Sequence, residues 1–214
     1  MTYSSTSDDP TLTNTTRTLN WSVVDANSDG AGAATGSAST TLTVTPTADA
    51  PTLSAAASAA YTENAAGTTL SSAFTLTDPD DVSMASATVT IATGLSTGDV
   101  LSAVTTGTNI TASYSTATGV LTLSGTDSVA NYQTVLRSVT YSSTSDDPTL
   151  SSTTRTLSWK VVDANSDGAG AATGSASTTL TVTPTADAPT LSAAASAAYT
   201  ENAAGTTLSS AFTL

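Results

Sequence analysis

The chain has 214 residues and carries 17 acidic side chains against 4 basic ones, a formal net charge of −13. This balance excludes nucleic acid as a partner and direct docking on anionic lipid, because both need clustered lysine and arginine. Cysteine and histidine are absent, so disulfides contribute nothing to stability. No apolar run approaches the roughly 20 residues of a membrane-spanning helix, and direct membrane insertion is not expected.

The sequence repeats itself. Residues 3–76 recur as residues 141–214, an offset of 138 residues, with four differing pairs: Thr13/Ser151, Asn14/Ser152, Asn20/Ser158 and Ser22/Lys160. A period of this length is that of one domain in an array. We therefore predict the C-terminal part of a preceding repeat (1–48), a complete repeat (49–186) and the N-terminal part of a following repeat (187–214). The partial repeats are expected to be less ordered or to pair with adjacent repeats or neighbouring chains.

Alternation of apolar and polar residues predicts an all-β fold. Threonine and valine, which favour strands, are abundant. The alternation indicates half-buried strands around residues 87–91, 110–114, 121–123, 157–161 and 179–183. We expect about eight or nine strands in the complete repeat, arranged as a β-sandwich with Greek-key-like connections.

One stretch departs from this alternation. Val129, Tyr132 and Leu136 have the spacing of one helical face, and Asp127 or Ser128 can cap the start of a helix. This spacing predicts a short helix over residues 128–136 that crosses between strands and closes one side of the core.

Aromatic residues are few and are assigned to the core. Trp159 is predicted as its central side chain, with Trp21 as its counterpart in the preceding repeat; a ligand-stacking platform is the alternative. The same interpretation, core or corner rather than binding surface, applies to four tyrosines: Tyr61, Tyr114, Tyr132 and Tyr141.

Acidic residues collect in the predicted loops. Glu63 lies in the first loop, Asp78, Asp80 and Asp81 fall within four residues, and Asp187 ends the repeat. Carboxylates this close repel one another unless a cation neutralises them. If these three segments meet at one pole, a Ca²⁺ ion would clamp the joint between repeats. The alternative is a set of solvated turns, in which aspartate is common.

A second candidate calcium site lies further along the chain. Asp163, Asn165 and Asp167, followed by glycine, match the first half of a calcium loop, D-x-N-x-D-G, although the closing glutamate is missing. The same stretch is typical of a hairpin loop without an ion. The remaining acidic pair, Asp146 and Asp147, is interpreted as a solvated turn.

Catalysis has little support in the sequence. Without histidine or cysteine, no serine has a proton acceptor of the triad kind. Paired carboxylates can hydrolyse glycosides, but the sequence shows no aromatic platforms for a sugar, and no glycine-rich phosphate loop. The protein is therefore predicted not to be an enzyme.

Six segments carry a family resemblance: 61–64 (YTEN), 76–81 (LTDPDD), 87–91 (ATVTI), 98–101 (GDVL), 117–125 (ATGVLTLSG) and 132–141 (YQTVLRSVTY). Together they resemble the cadherin-like tandem repeats of giant bacterial adhesins exported by type I secretion, the RTX adhesin type. The pattern is also similar to chondroitin-sulfate-proteoglycan-type repeats. The resemblance covers the whole complete repeat and implies an immunoglobulin- or cadherin-like sandwich.

The resemblance also implies ligands and a role. In the cadherin-like group calcium lies between successive domains, and by position Glu63 looks like the early glutamate, Asp78 and Asp80 like the acidic loop, and Asp187 like the linker acid. The linker carries one acid where cadherins carry several. The implied role is that of an extracellular, cell-surface extender in adhesion or biofilm formation. The alternatives are a glycan- or protein-binding module and a matrix filament subunit completed by strand exchange.

Overall fold

The computed structural model describes residues 1–210, 212 and 213. In this part of the chain no helix is long and apolar enough to cross a membrane. The elements are β1 (Thr16–Val24), β2 (Thr35–Thr43), β3 (Thr52–Ser54), β4 (Ser58–Thr62), β5 (Thr68–Thr69), β6 (Thr75–Thr77), β7 (Ser83–Thr93), β8 (Asp99–Ser102), β9 (Thr111–Ser115), β10 (Val120–Ser128), α1 (Val129–Arg137), β11 (Thr140–Ser143), β12 (Thr154–Asp163) and β13 (Thr173–Thr183).

Residues 49–186 form an all-β sandwich with one short helix. One layer is a six-stranded sheet in the order β4-β13-β12-β7-β10-β9. The other consists of the three-stranded sheet β5-β11-β8, the pair β3-β6 and α1. All strand pairs are antiparallel except β4 with β13, which is parallel. The inward side chains of both layers form one continuous core.

The complete repeat contains eleven strands, β3 to β13, rather than eight or nine. The additional ones are short: β3 and β6 have three residues each and β5 has two. Segments this short show no alternation that a sequence pattern could reveal. The predicted strand at 110–114 is the edge strand β9, where Ala112 is exposed and Tyr114 is half-buried.

The predicted helix is confirmed. Ser128 is its N-cap and accepts a hydrogen bond from the backbone N–H of Asn131 at 3.2 Å. The inward face buries Tyr132, Val135 and Leu136. Its position between β10 and β11 closes the core, as the spacing predicts.

Trp159 lies in the core, as predicted. It is fully buried, its Nε1–H donates to Thr178 Oγ1 at 2.9 Å, and its ring packs 5.3 Å from that of Phe74, centroid to centroid. A ligand-stacking role for this residue is thereby excluded. Three of the four tyrosines are also buried: Tyr61, Tyr132 and Tyr141.

The preceding partial repeat folds as a hairpin. Strands β1 and β2 pair in the register of β12 and β13, so that Trp21 faces Ala38 as Trp159 faces Ala176. The hairpin lacks the strands that would cover it, and Trp21 is accordingly 37% exposed. Among the described residues after 186, pairing is limited to one bridge between Ser192 and Thr213.

Candidate metal centre

The loops of the complete repeat gather at two opposite ends of the sandwich. β13 runs between these ends, and its 11 residues span about 35 Å. We define the N-terminal pole by residues 78–82 and the β12–β13 loop (163–172). The C-terminal pole is defined by Glu63, Thr185 and the joint loop, which connects β11 to β12 (residues 144–153).

Three aspartates form a compact cluster at the N-terminal pole. Asp78, Asp80 and Asp81 each offer one carboxylate oxygen within 4.8 Å of the others. Asp80 and Asp81 are only 6% and 3% exposed. A tight turn produces this arrangement, because Asp78 Oδ1 accepts the backbone N–H groups of Asp80 at 3.2 Å and Asp81 at 2.8 Å. The second oxygen of Asp78 accepts no hydrogen bond.

Several oxygens at this pole are buried without a hydrogen-bond partner: Asp78 Oδ2, Asp80 Oδ1, Asp81 Oδ2 and Asp167 Oδ2. An unpaired buried carboxylate oxygen is costly. Among the described residues the one salt bridge joins Asp99 and Arg155 in the core, so no basic side chain neutralises the cluster. The carboxylate oxygens of Asp78, Asp80 and Asp81, within 4.8 Å of one another, have a spacing compatible with ligands around a single cation, since Ca²⁺ binds oxygens at about 2.3–2.6 Å.

The electrostatics of Asp78 reflect this crowding. Burial, followed by the neighbouring Asp80 carboxyl group, raises the pKa of Asp78 to about 6. Two hydrogen bonds from the backbone oppose the shift without cancelling it. The folded protein therefore disfavours the charged form of this carboxylate unless a cation is supplied.

The β12–β13 loop lies against the aspartate cluster. The backbone N–H and the hydroxyl of Ser166 both donate to Asp81 Oδ1. The N–H of Ala164 donates to Ser83 O at 3.1 Å, which fixes this loop beside the start of β7. The two stretches predicted as separate calcium sites therefore share one pole.

Within this loop, two of the predicted ligands hold the backbone. Asp163 accepts the N–H groups of Asn165 at 3.0 Å and Ala172 at 2.6 Å, while Asn165 Oδ1 accepts that of Gly170 at 2.6 Å. Asp167 Oδ1 accepts the N–H of Ala169, which leaves Oδ2 as the unpartnered oxygen. Asp167 is thus the residue of this loop best placed to contribute to a cation site with the cluster.

Glu63 lies at the other pole. Its N–H donates to Thr183 O at 3.0 Å and its Oε2 accepts the N–H of Thr185 at 2.7 Å, while Oε1 is buried without a partner. Because β4 runs parallel to β13, its last residues lie beside the end of β13 rather than its start. The expectation that Glu63, the 78–81 cluster and the linker acid meet at one pole of the same repeat does not hold.

The linker acid belongs with the pole of the repeat that follows it. Asp187 is exposed beyond the end of β13. Asp49, its equivalent one period earlier, donates its backbone N–H to Asp80 Oδ2 at 2.9 Å. A joint therefore combines the linker with the N-terminal pole of the next repeat.

A segment of the preceding repeat also lies at this pole. Asp9, Thr11 and Leu12 line a cavity of about 190 Å³ together with Asp80 and other pole residues (Val82, Ser166 and Asp167). Asp8 and Asp9 are the equivalents of Asp146 and Asp147. The pair interpreted as a solvated turn is, in its first copy, part of a contact between repeats.

The core contains a buried ion pair that the sequence analysis did not predict. Asp99 pairs with Arg155 (Nε to Oδ2, 2.7 Å), both side chains are fully buried, and Tyr141 donates its hydroxyl to Asp99 Oδ1 at 2.5 Å. Burial, then the bond to Asp99, raises the pKa of Tyr141 above its usual range. A signal was present, because Arg155 falls on the same inward alternation as Leu157 and Trp159.

Comparison of the chain with protein-family models finds no match, and comparison with curated proteins finds none either. The features of the chain that bear on its function are the repeat, the sandwich and the chemistry of the N-terminal pole. That pole can supply several oxygen ligands to a metal ion at the place where two repeats meet.

Proposed function

We propose that the chain is part of a non-enzymatic extender region of a large, repetitive adhesin on a bacterial cell surface. Each repeat is a bead, and the array projects a distal adhesive domain in adhesion or biofilm formation. The 138-residue repeat and its resemblance to type I-secreted adhesin repeats support this role. Calcium binds at the N-terminal pole and stabilises both the bead and its joint with the preceding repeat.

The observation that supports a bound cation is the set of buried, unpartnered oxygens of Asp78, Asp80, Asp81 and Asp167. Such oxygens are unfavourable in a protein without disulfides unless something binds them. Calcium is preferred over softer metals because every available ligand is an oxygen, and over Mg²⁺ because irregular loops tolerate its flexible coordination. An excess of acidic side chains also attracts cations generally.

Calcium should raise the melting temperature of the chain. A ligand that binds only the folded state adds about 2.7 kcal/mol at a hundredfold excess over Kd, which for a bead of this size corresponds to about 10 °C. Differential scanning calorimetry in millimolar calcium and in chelator measures the shift, with magnesium as a selectivity test. An identical melting temperature in calcium and in chelator would contradict a structural calcium site.

The repeat provides a matched control for the ligands. Asp167→Asn should reduce the calcium-induced shift because it removes an unpartnered carboxylate from the pole. Asp29→Asn alters the same position of the same motif in the preceding hairpin, where the loop is exposed, and should leave the shift unchanged. Equal effects of the two substitutions would place the ion elsewhere.

A further inference from the structure

The joint loop occurs twice in the chain, with the same internal bonds. Thr149 donates its N–H and hydroxyl to Asp147 Oδ1, and Thr11 donates the same two groups to Asp9 Oδ1. In the first copy the loop spans residues 6–15. The same conformation therefore recurs in the first copy, which lacks a complete sandwich of its own.

One threonine of the loop is buried in the first copy but not in the second. Thr11 is only 8% exposed although its own repeat lacks a sandwich, whereas Thr149, beside a complete sandwich, is more exposed. The residues that share a cavity with Thr11 belong to the next repeat, among them Asp80 and Ser166. The burial of Thr11 thus comes from contact with the N-terminal pole of the following repeat.

An apolar residue accompanies the contact. Leu12 lines the same two cavities as Val82, beside the aspartates of the pole. Leu12 is itself 71% exposed there, and its equivalent in the second copy, Leu150, is 83% exposed at the C-terminal pole. The two leucines therefore differ in what they border rather than in how far they are buried: Leu12 borders the N-terminal pole of the next repeat, whereas Leu150 lies at the opposite pole.

The joint loop is fastened to the core at two points. Arg155 donates from Nη2 to Pro148 O at 2.6 Å and from Nη1 to Ser152 O at 2.7 Å, while its Nε is held by buried Asp99. Arg17 makes the equivalent bonds to Pro10 O and Asn14 O. A loop held in this way loses little conformational entropy when it docks.

We propose that the joint loop of each repeat is a docking element that seats on the N-terminal pole of the next copy, so that Leu150, Thr149 and Asp147 form an interface for a second copy of this repeat. The two surfaces lie on opposite poles, which makes the contact heterologous and the assembly an open head-to-tail row. This proposal rests on the array organisation of the proposed function, but not on its cation.

Cross-linking tests the docking directly, because the chain contains no cysteine of its own. The pair Leu12→Cys and Val82→Cys should be joined within one chain by a short bismaleimide, detected by peptide mapping. The matched control is Leu150→Cys with Val82→Cys, in which the same loop residue lies at the opposite pole. Proximity within one chain predicts at least about a tenfold higher yield for the first pair in dilute protein.

Equal yields for the two pairs, or no link in the first, would overturn the docking proposal. Repeating the reaction in chelator separates it from the proposed function. A link that forms in calcium and in chelator supports docking that needs no ion. A link that forms only in calcium supports docking through the bound cation. A calcium-independent melting temperature with the link intact would instead contradict the calcium site alone.

Discussion

Asp99 and Arg155 form an ion pair in the interior of the sandwich, where no water screens it. Besides Arg155 and the hydroxyl of Tyr141, Asp99 accepts the N–H of Ser96 at 2.9 Å, so both of its carboxylate oxygens are satisfied. A buried pair of this kind adds little net stability relative to apolar residues, but loss of one partner is costly. Here the pair also fixes the joint loop through Pro148.

Asp99→Asn should destabilise the complete repeat by about 3–5 kcal/mol, because Arg155 is left buried with no opposite charge. Urea unfolding followed by tryptophan fluorescence measures the loss. Asp146→Asn removes a carboxylate from the exposed part of the joint loop and should change the free energy of unfolding little. If both variants unfold at the same urea concentration as the parent, the ion pair is not structural.

The raised pKa of Asp78 predicts a pH dependence in the absence of calcium. Its folded value of about 6 exceeds the ordinary 3.8, so its contribution to stability is fully present below 3.8 and is lost as pH rises through 6. In chelator the parent should gain stability between pH 7 and pH 5 relative to Asp78→Asn. Calcium should abolish this gain between pH 7 and pH 5, because the bound ion favours the charged carboxylate. If the melting temperatures of the parent and the variant change with pH in the same way across this range, the raised pKa of Asp78 is contradicted.

At the residue scale, the alternation along one strand indicates buried charged residues as well as the apolar core. The inward alternation of β12 predicts Leu157, Trp159 and Val161 correctly, and one further step in each direction reaches Arg155 and Asp163, which are also buried. A charged residue at an inward position implies a buried partner. The partner itself, Asp99, lies 56 residues earlier, and no local pattern connects the two.

At the level of elements, β13 begins in close contact with the chain that enters the repeat. A Cβ atom on Gly174 would overlap the carbonyl oxygen of Pro51 and the side chain of Leu53. This contact fixes the entering segment, including Asp49, beside the N-terminal pole. Packing between β3 and β13 therefore determines where the linker meets the aspartate cluster.

Gly174→Ala should destabilise the complete repeat by about 1–3 kcal/mol or more, because the entering segment has to shift to admit the methyl group. Gly36→Ala changes the same position of the preceding hairpin, where the nearest atom lies 4.0 Å away. That control should leave thermal unfolding unchanged. If Gly174→Ala leaves both thermal unfolding and the calcium response unchanged, the contact does not fix the entering segment beside the N-terminal pole.

The long elements were predictable and the short ones were not. Alternation located β7, β10, β12 and β13, and helical spacing located α1. The position of Glu63 depends on the parallel pairing of β4 with β13, which leaves no periodic signal in a five-residue strand. The sequence prediction grouped Glu63 with the 78–81 cluster, and for this reason the structure instead places Glu63 at the opposite pole.

For the whole molecule, the two poles give the array its direction. The linker and joint loop of one repeat both reach the N-terminal pole of the next. A stiff joint lets the length of the array grow linearly with the number of repeats, whereas a flexible joint lets it grow only as about the square root. Added negative charge from Asp8 and Asp9, at a pole that already carries four aspartates with unpartnered oxygens, makes a joint without a cation repulsive.

Small-angle X-ray scattering of a chain of several consecutive repeats tests this account most directly. In calcium the maximum dimension should increase by about one bead length, roughly 35–45 Å, for each added repeat. In chelator, with each bead still folded as judged by circular dichroism, the maximum dimension should fall well below this linear increase with the number of repeats. A maximum dimension that is the same in calcium and in chelator would contradict a cation-stiffened joint.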